Sequence, residues 1–570
     1  MNLSATDHDR RPTRPEPGRL ARIRSAWGLL LVPLLSLAML ASACGGGDDD
    51  SGGDSGSGGD DSATPVPGGE IAYGLEAETS GGWCLPESQL AISGIQVART
   101  IYDTLTAPNA DGEIVPFLAE SVEPNADSTE FTIKLREGVK FHDGSDLTAE
   151  VVKNNLDAYR GEYPARQPLL FRFVFEDVAS VDVVDDLTVK VTTSVPWPAF
   201  PWALYGTGRI GMVAQAQLDD PDTCDTNLIG TGPFKLVEWV QNDSLVAEKN
   251  PDYWQTDQDG NQLPYLDRIT YRPIIDETAR VNALDSNDVQ AIMTNDGTAI
   301  EQIKFGAEEG RLAAVQTDQL SEVSFVNFNV SKPPFDNPLA RRAVASAIDV
   351  EQYIQTIGIG QFEAASGPFA KGVIGYLEDA GFPAYDPDAA AELAAQYEQE
   401  TGQPLEFNLS GANSDGTVRA LSFLQDQLKQ AGIQAEVVPI EQAALISTAL
   451  GGDWQAMLFR NYPGADPDTQ YNWWYSGSPV NFGQMADPEV DALLDAGRES
   501  SDQDERVTIY EDLNRRFGSE VYQSWLNWSN WTIGTSADVK GVLGPLLPDG
   551  SEPSPGLAPG NPVSGMWLAQ

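Results

Sequence analysis

The stretch KFHDGSDLTAE (140–150) sets His142 beside Asp143. An imidazole next to a carboxylate is how a general base is held in one tautomer, so this pair invites an acid–base reading. The alternative is a turn: Asp143-Gly144 is a turn dipeptide in its own right, and Thr148 is placed to cap the helix that LTAE begins. His142 is read as a structural member of that turn. The other histidine, His8, falls in a segment expected to be removed. One remaining imidazole and a chain total of 3 cysteines do not meet the needs of a His-based or four-thiolate site, so no metal is expected. DQDGN (257–261) has oxygen ligands at calcium-like spacing but lacks the rest of an EF-hand loop, and is read as a polar turn. GTGRIG (206–211) matches a dinucleotide fingerprint. However, Pro196, Pro198 and Pro201 spoil the strand that must precede it. No Walker A loop and no G-x-S-x-G elbow occur, and no cofactor is expected.

The wider composition narrows the classes. A length of 570 residues suggests three or four domains or lobes, and 41% hydrophobic content with 13 Trp supports large packed cores. A formal charge of −50 repels phosphate backbones and argues against nucleic acid. Residues 10–24 carry Arg10, Arg11, Arg14, Arg19, Arg22 and Arg24, followed by the apolar run AWGLLLVPLLSLAMLA (26–41) and then ASAC. A basic region, a short apolar core and small residues form an export signal rather than a membrane span. SACGGG resembles a bacterial lipoprotein box, which makes Cys44 the lipidated first residue of the mature chain. A cut after Ala43, giving a free secreted protein, is the alternative. The run GGGDDDSGGDSGSGGDDSATPVPGG (45–69) cannot build a core and is read as a tether. The expected location is therefore extracytoplasmic, anchored to the cell membrane. In an oxidising compartment the two remaining cysteines, Cys84 and Cys224, are expected to form a disulfide, with two buried thiols as the alternative.

Periodicity places the elements. EFTIKLREGVKF (130–141) alternates as a half-buried strand. NPLARRAVASAI (337–348) and DPDAAAELAAQYEQETG (386–402) read as helices capped by Asn337 and Asp386, each with Pro at the first position. Between 405 and 460 the order is strand LEFNLS, helix TVRALSFLQDQLKQAG, strand IQAEVVPI, helix EQAALISTAL and strand WQAMLF. That alternation predicts a mostly parallel α/β sheet, whose ligands bind beyond the carboxyl ends of the strands. The pointer is to RNYPGADPDTQYNWWY (460–475).

These pieces together resemble the extracytoplasmic solute-binding proteins of bacterial ABC importers of the peptide/nickel type, family 5. The matching runs are IYDTL (101–105), VPFLAES (115–121), LREGVKFHDGSDLTAE (135–150), GTGPFKLVEW (230–239), NPDYW (250–254), FNVSKPPFDNPLARRAVASAID (328–349) and DPEVDALLDAGRE (487–499), in the family's order. Val151 departs from the family's usual Asp. The resemblance implies a two-lobed clamshell of mixed sheets, the type II periplasmic-binding-protein fold of the large peptide-binding subclass, with an extra subdomain. It apportions the chain as a signal (1–43), lipidated Cys and tether (44–69), first lobe (70–107, 201–322 and 526–570), extra subdomain (108–200) and second lobe (323–525). It implies binding without catalysis, a membrane permease as partner, and a monomer.

For the solute, the family often holds a peptide amine with an Asp that would fall near Pro463. No Asp stands there, and Asp466 is the nearest substitute. Nickel is disfavoured, since imidazole suits that metal. Aromatic residues are what the region offers: Trp473 and Trp474 beyond the strand end, and Trp83 after the first strand. Arg460, Asn461 and Tyr462 complete the expected site, the first two suited to carboxylate or hydroxyl groups. The expected solute is an oligopeptide or peptide-like compound. An oligosaccharide or other amphipathic solute is the rival, a carboxylate-dependent secreted hydrolase the rival of another class, and a sensory or adhesive surface protein a third.

Overall fold

The computed structural model describes residues 64–569, apart from 79–81, 89, 318, 320, 442–443, 463 and 558–562. The signal segment, Cys44, most of the tether and Pro463 lie outside the described residues.

Two mixed sheets form the two lobes. The first has seven strands in the spatial order Leu312–Gln316, Thr532–Ser536, Ala291–Thr294, Glu70–Leu75, Arg268–Pro273, Ser244–Lys249 and Phe234–Val240. The second has six: Glu363–Ala364, Gln523–Ser529, Glu322–Phe328, Ala456–Asn461, Glu406–Ala412 and Gln434–Ile440. The chain crosses between them twice, from Gln316 to Glu322 and from Ser529 to Thr532. In the 405–460 unit, Glu406–Ala412 runs parallel to Gln434–Ile440 and to Ala456–Asn461, as its alternation predicts. The sheet becomes mixed because Glu322–Phe328 enters antiparallel to Ala456–Asn461. Local chemistry explains the helix limits: Asn337, Asp386 and Ser414 accept hydrogen bonds from first-turn amides, and Gly402 closes its helix in the left-handed region at φ 71°.

A third sheet of four strands, within 119–193, forms the extra subdomain. Its strand Glu130–Leu135 buries Phe131, Ile133 and Leu135 on one face, as the alternation requires. These side chains share one apolar core with Tyr73, Ile269 and Phe234 of the first lobe, so subdomain and first lobe are fused by packing. Toward the second lobe, Leu170 and Phe173 of the subdomain pack against its apolar cluster around Trp454 and Phe482, and polar contacts join them. Trp197 Nε1 donates to Asp468 Oδ2 at 2.6 Å, and Asn472 Nδ2 to the carbonyl of Phe173 at 2.9 Å. The Arg498 guanidinium bonds Asp468 at 2.8 Å and Asp177 at 2.9 Å, and lies 4.6 Å from the Trp197 ring centre and 3.6 Å from that of Tyr471.

His142 sits in the turn that Asp143 and Gly144 make. Ser145 N–H donates to Asp143 Oδ1 at 2.9 Å, and Thr148 caps the helix Ala149–Arg160. Its ring faces Gly230-Thr231-Gly232: Nε2 bonds the Gly232 carbonyl at 3.0 Å, and Nδ1 accepts from the Gly230 amide at 3.3 Å. A single neutral tautomer satisfies both nitrogens. Gly230 is required by close approach, since a Cβ there would lie 2.0 Å from the Ile101 carbonyl. The same tripeptide serves a second buried group: Thr231 Oγ1 donates to Asp103 Oδ2 at 3.1 Å, alongside Trp254 Nε1 at 2.9 Å.

Burial pushes His142 down from 6.5 to about 4 and Asp103 up from 3.8 to about 6. Between pH 4 and 6.5 the unfolded chain binds the His142 proton that the folded chain refuses, so that contribution to stability grows with pH. Between pH 3.8 and 6 the folded chain holds the Asp103 proton that the unfolded chain releases, so that contribution shrinks with pH. The two slopes oppose each other in one window. Relative to the wild type, His142→Asn is expected to lose stability as pH rises from 4 to 6, and Asp103→Asn to gain it. Urea midpoints at three pH values read the difference.

Candidate functional site

The two lobes meet at the carboxyl end of Ala456–Asn461. Arg460, at that end, reaches across to the first lobe: Nη2 bonds Glu76 Oε1 at 3.1 Å, just beyond the strand Glu70–Leu75. Its Nη1 lies 3.7 Å from Oε2 of Glu322, the first residue of the strand Glu322–Phe328. The Trp531 ring, on the returning crossover, is 5.5 Å from the guanidinium. Four segments distant in sequence thus converge on one cation. Burial works to lower the pKa of Arg460, and the carboxylates of Glu322 and Glu76 more than offset it, leaving it above its usual value. Burial raises Glu322, opposed chiefly by Arg460. Arg209 faces Glu322 and Tyr462 from the first lobe, held by its own bond to the Leu90 carbonyl at 2.9 Å. Among the described residues no group of three or more His, Cys, Asp or Glu is placed to hold a metal.

The other expected site residues divide among four places. Tyr462 is buried at the lobe boundary near Tyr205 and Arg209. Trp83 is 1% exposed on the first-lobe side, edge-on to Trp239 at 5.9 Å. The adjoining Cys84 is joined to Cys224 by a disulfide, with Arg166 Nη1 3.0 Å from its sulfur. Asn461 donates to Gln470 at 2.6 Å and, with Trp473 and Trp474, lines a void of about 20 Å³ inside the second lobe. Asn327 Oδ1 and Gln523 Oε1 line the same void and have no hydrogen-bond partner among the described residues. Asp466 lies between Ala465, which packs against the first-lobe core, and Asp468, which bonds Trp197, but its own carboxylate turns to the second lobe. It is 7% exposed, and both its oxygens are taken by Arg506, at 2.7 and 2.8 Å. Its carboxylate is therefore occupied by a partner within the second lobe.

Trp473 and Trp474 also part company. Trp474 is 6% exposed against Phe517 and Phe369, whereas Trp473 is half-buried, edge-on to Phe482 at 5.2 Å. Trp473→Ala is expected to weaken solute binding about tenfold with little loss of fold, and Trp474→Ala to cost about 3 kcal/mol of stability. Calorimetric titration and denaturant unfolding of both variants separate the two effects. Unchanged affinity in Trp473→Ala removes that residue from the site.

Glu76, Glu322 and Arg209 were not singled out for the site from sequence, and Trp531, with Trp525 and Trp528, reads there as an aromatic candidate that favours core or hinge packing. The available signals were position: Glu76 directly follows the first strand, and Trp531 lies in SWLNWSNW at the last crossing.

The family model for bacterial extracellular solute-binding proteins, family 5, matches residues 113–482. The chain is 30% identical over 467 residues to the glutathione-binding protein GsiB of Pectobacterium atrosepticum, covering 80% of this chain and 87% of that protein. Among solved structures it resembles the periplasmic binding protein DppA of Helicobacter pylori in complex with the peptide STSA, with a TM-score of 0.78, 21% identity, and 89% and 99% of the two chains covered. It also resembles AgaA of A. tumefaciens R10 in complex with agropinic acid, with a TM-score of 0.77, 26% identity, and 88% and 99% covered.

Proposed function

The chain belongs to the bacterial extracellular solute-binding proteins of family 5, and on that premise we propose that it captures a peptide or peptide-like solute between its two lobes for delivery to an ABC permease. It is an extracytoplasmic binding protein, not an enzyme. The observation that carries the reading is the convergence of both lobes on Arg460. A side chain at a strand's carboxyl end there meets carboxylates from each side of the boundary, where a solute would be enclosed and stripped of water. The likeness to a glutathione-binding protein over four-fifths of the chain supports a small peptide-like solute. We assign Trp83, Arg460, Tyr462 and Trp473 to the site. Asn461 shapes the second-lobe wall beside it. Lipidation at Cys44, with the acidic run after it as tether, would keep a monomeric body close to its permease.

The likeness to AgaA bound to agropinic acid favours a second reading, in which the solute is a non-peptide compound. Native mass spectrometry of residues 45–570, purified from a rich-medium culture, separates the two. One or more masses of peptides or peptide-like compounds are the expected result, and one discrete non-peptide mass would replace it with the second reading.

A further inference from the structure

Arg460 and the two acids beside it are balanced against one another, and that balance restricts what can enter. The cation is within 3.1 Å of Glu76 and 3.7 Å of Glu322. Glu322 is 5% exposed, and its Oε2 accepts no hydrogen bond among the described residues. Glu277, the next acid in the cluster, is already paired with Arg280. A solute that brings only a cation would displace Arg460, whose side chain is 38% exposed, from its carboxylates. A solute that brings only an anion would draw Arg460 away and leave Glu76 beside the buried Glu322, with Arg209 as the cation still facing Glu322. Either outcome unbalances the cluster by one charge. A solute carrying both charges keeps every group paired.

The spacing then limits where those charges sit. Cation and anions of the cluster lie within the width of one guanidinium, so the solute's ammonium and carboxylate must be close neighbours. An extended chain advances roughly 3.3–3.6 Å per residue, so the terminal charges of a tripeptide stand roughly 10 Å apart. They cannot both reach the cluster. An ammonium and a carboxylate on the same carbon can.

We infer that Glu76, Glu322 and Arg460 together form a receptor for a free amino-acid head, the two glutamates taking the ammonium and Arg460 the carboxylate. This rests on the proposed capture of a peptide-like solute and specifies which kind: one joined through a side chain, such as a γ-glutamyl peptide, rather than an ordinary α-linked peptide. The Trp531 face beside Arg460 holds the guanidinium at the boundary as it changes partners.

Two isomers test it. Glutathione, γ-Glu-Cys-Gly, leaves the carboxylate beside its ammonium free, and the α-linked Glu-Cys-Gly ties that carboxylate up in a peptide bond. Both have the same atoms and the same formal charges. Titration calorimetry on the purified protein is expected to show the γ isomer binding about 30-fold or more tighter, the worth of a charged hydrogen-bond pair. Glu322→Gln and, separately, Glu76→Gln are expected to shrink that ratio to about threefold or less, with circular dichroism unchanged. Equal binding of the isomers, or a ratio that survives both substitutions, overturns the inference. Tight binding of α-linked peptides with rejection of the γ isomer overturns it while peptide capture stands. Binding of neither isomer and of no member of an α-linked di- to pentapeptide set overturns both.

Discussion

Asp466→Ala is expected to lower stability by about 3–5 kcal/mol, the cost of leaving one member of a buried ion pair without its partner. Arg506, on the helix Gln503–Glu520, would keep its Nε bond to the Gly497 carbonyl but hold two nitrogens stripped of their carboxylate beside the Tyr510 ring. Replacing both residues by apolar ones of similar volume, Asp466→Leu with Arg506→Met, is expected to recover most of the loss, because the desolvation of two charges disappears with them. Urea unfolding of the single and double variants checks this. The alternative role, as a solute's amine partner, makes a different forecast: Asp466→Asn would unfold like the wild type and lose affinity. That result would return Asp466 to the binding site.

The second large effect concerns the disulfide. Cys84 and Cys224 are 140 residues apart, and closing a loop of that length removes unfolded-state entropy worth roughly 5 kcal/mol in the chain-entropy model. Reduction is expected to lower the melting temperature, and Cys84→Ser with Cys224→Ser to do the same without reductant. The bond also ties the segment carrying Trp83 to the loop around Asp225, whose backbone carbonyl accepts from the Trp83 amide at 3.1 Å. Solute affinity should therefore fall along with stability. Free thiols in protein taken from the exported fraction would refute the bridge as a native feature.

The contrast between Asp466 and Asn337 shows what was legible in the sequence. Asn337 and Asp386 act on amides two or three residues away, so the helices they begin can be read from a short window. The strand Glu130–Leu135 is equally local, because its alternation already states which face is buried. Asp466 lies near the expected binding loop, yet its partner is 40 positions on, and nothing in DPDTQYNWW announces Arg506. The cluster at Arg460 is more distant still. Glu322 and Glu76 gain meaning only when two crossovers bring 76, 322, 460 and 531 together. Arg460 was accessible from sequence because it ends a strand whose neighbours are parallel, a rule about sheets rather than about pairs of residues. His142 was decided by its turn. What holds its ring, Gly230-Thr231-Gly232, belongs to a motif 88 and more residues later.

The seam between the subdomain and the second lobe bears on time as well as on shape. Because the subdomain shares its core with the first lobe, the clamshell cannot part without separating Trp197 from Asp468 and Asp177 from Arg498. None of these groups is among those assigned to the solute. The dwell time of a captured molecule is then governed partly by a seam it never touches, so two solutes with similar contacts would have dwell times sharing a common floor. Such a floor gives each capture time to end in delivery.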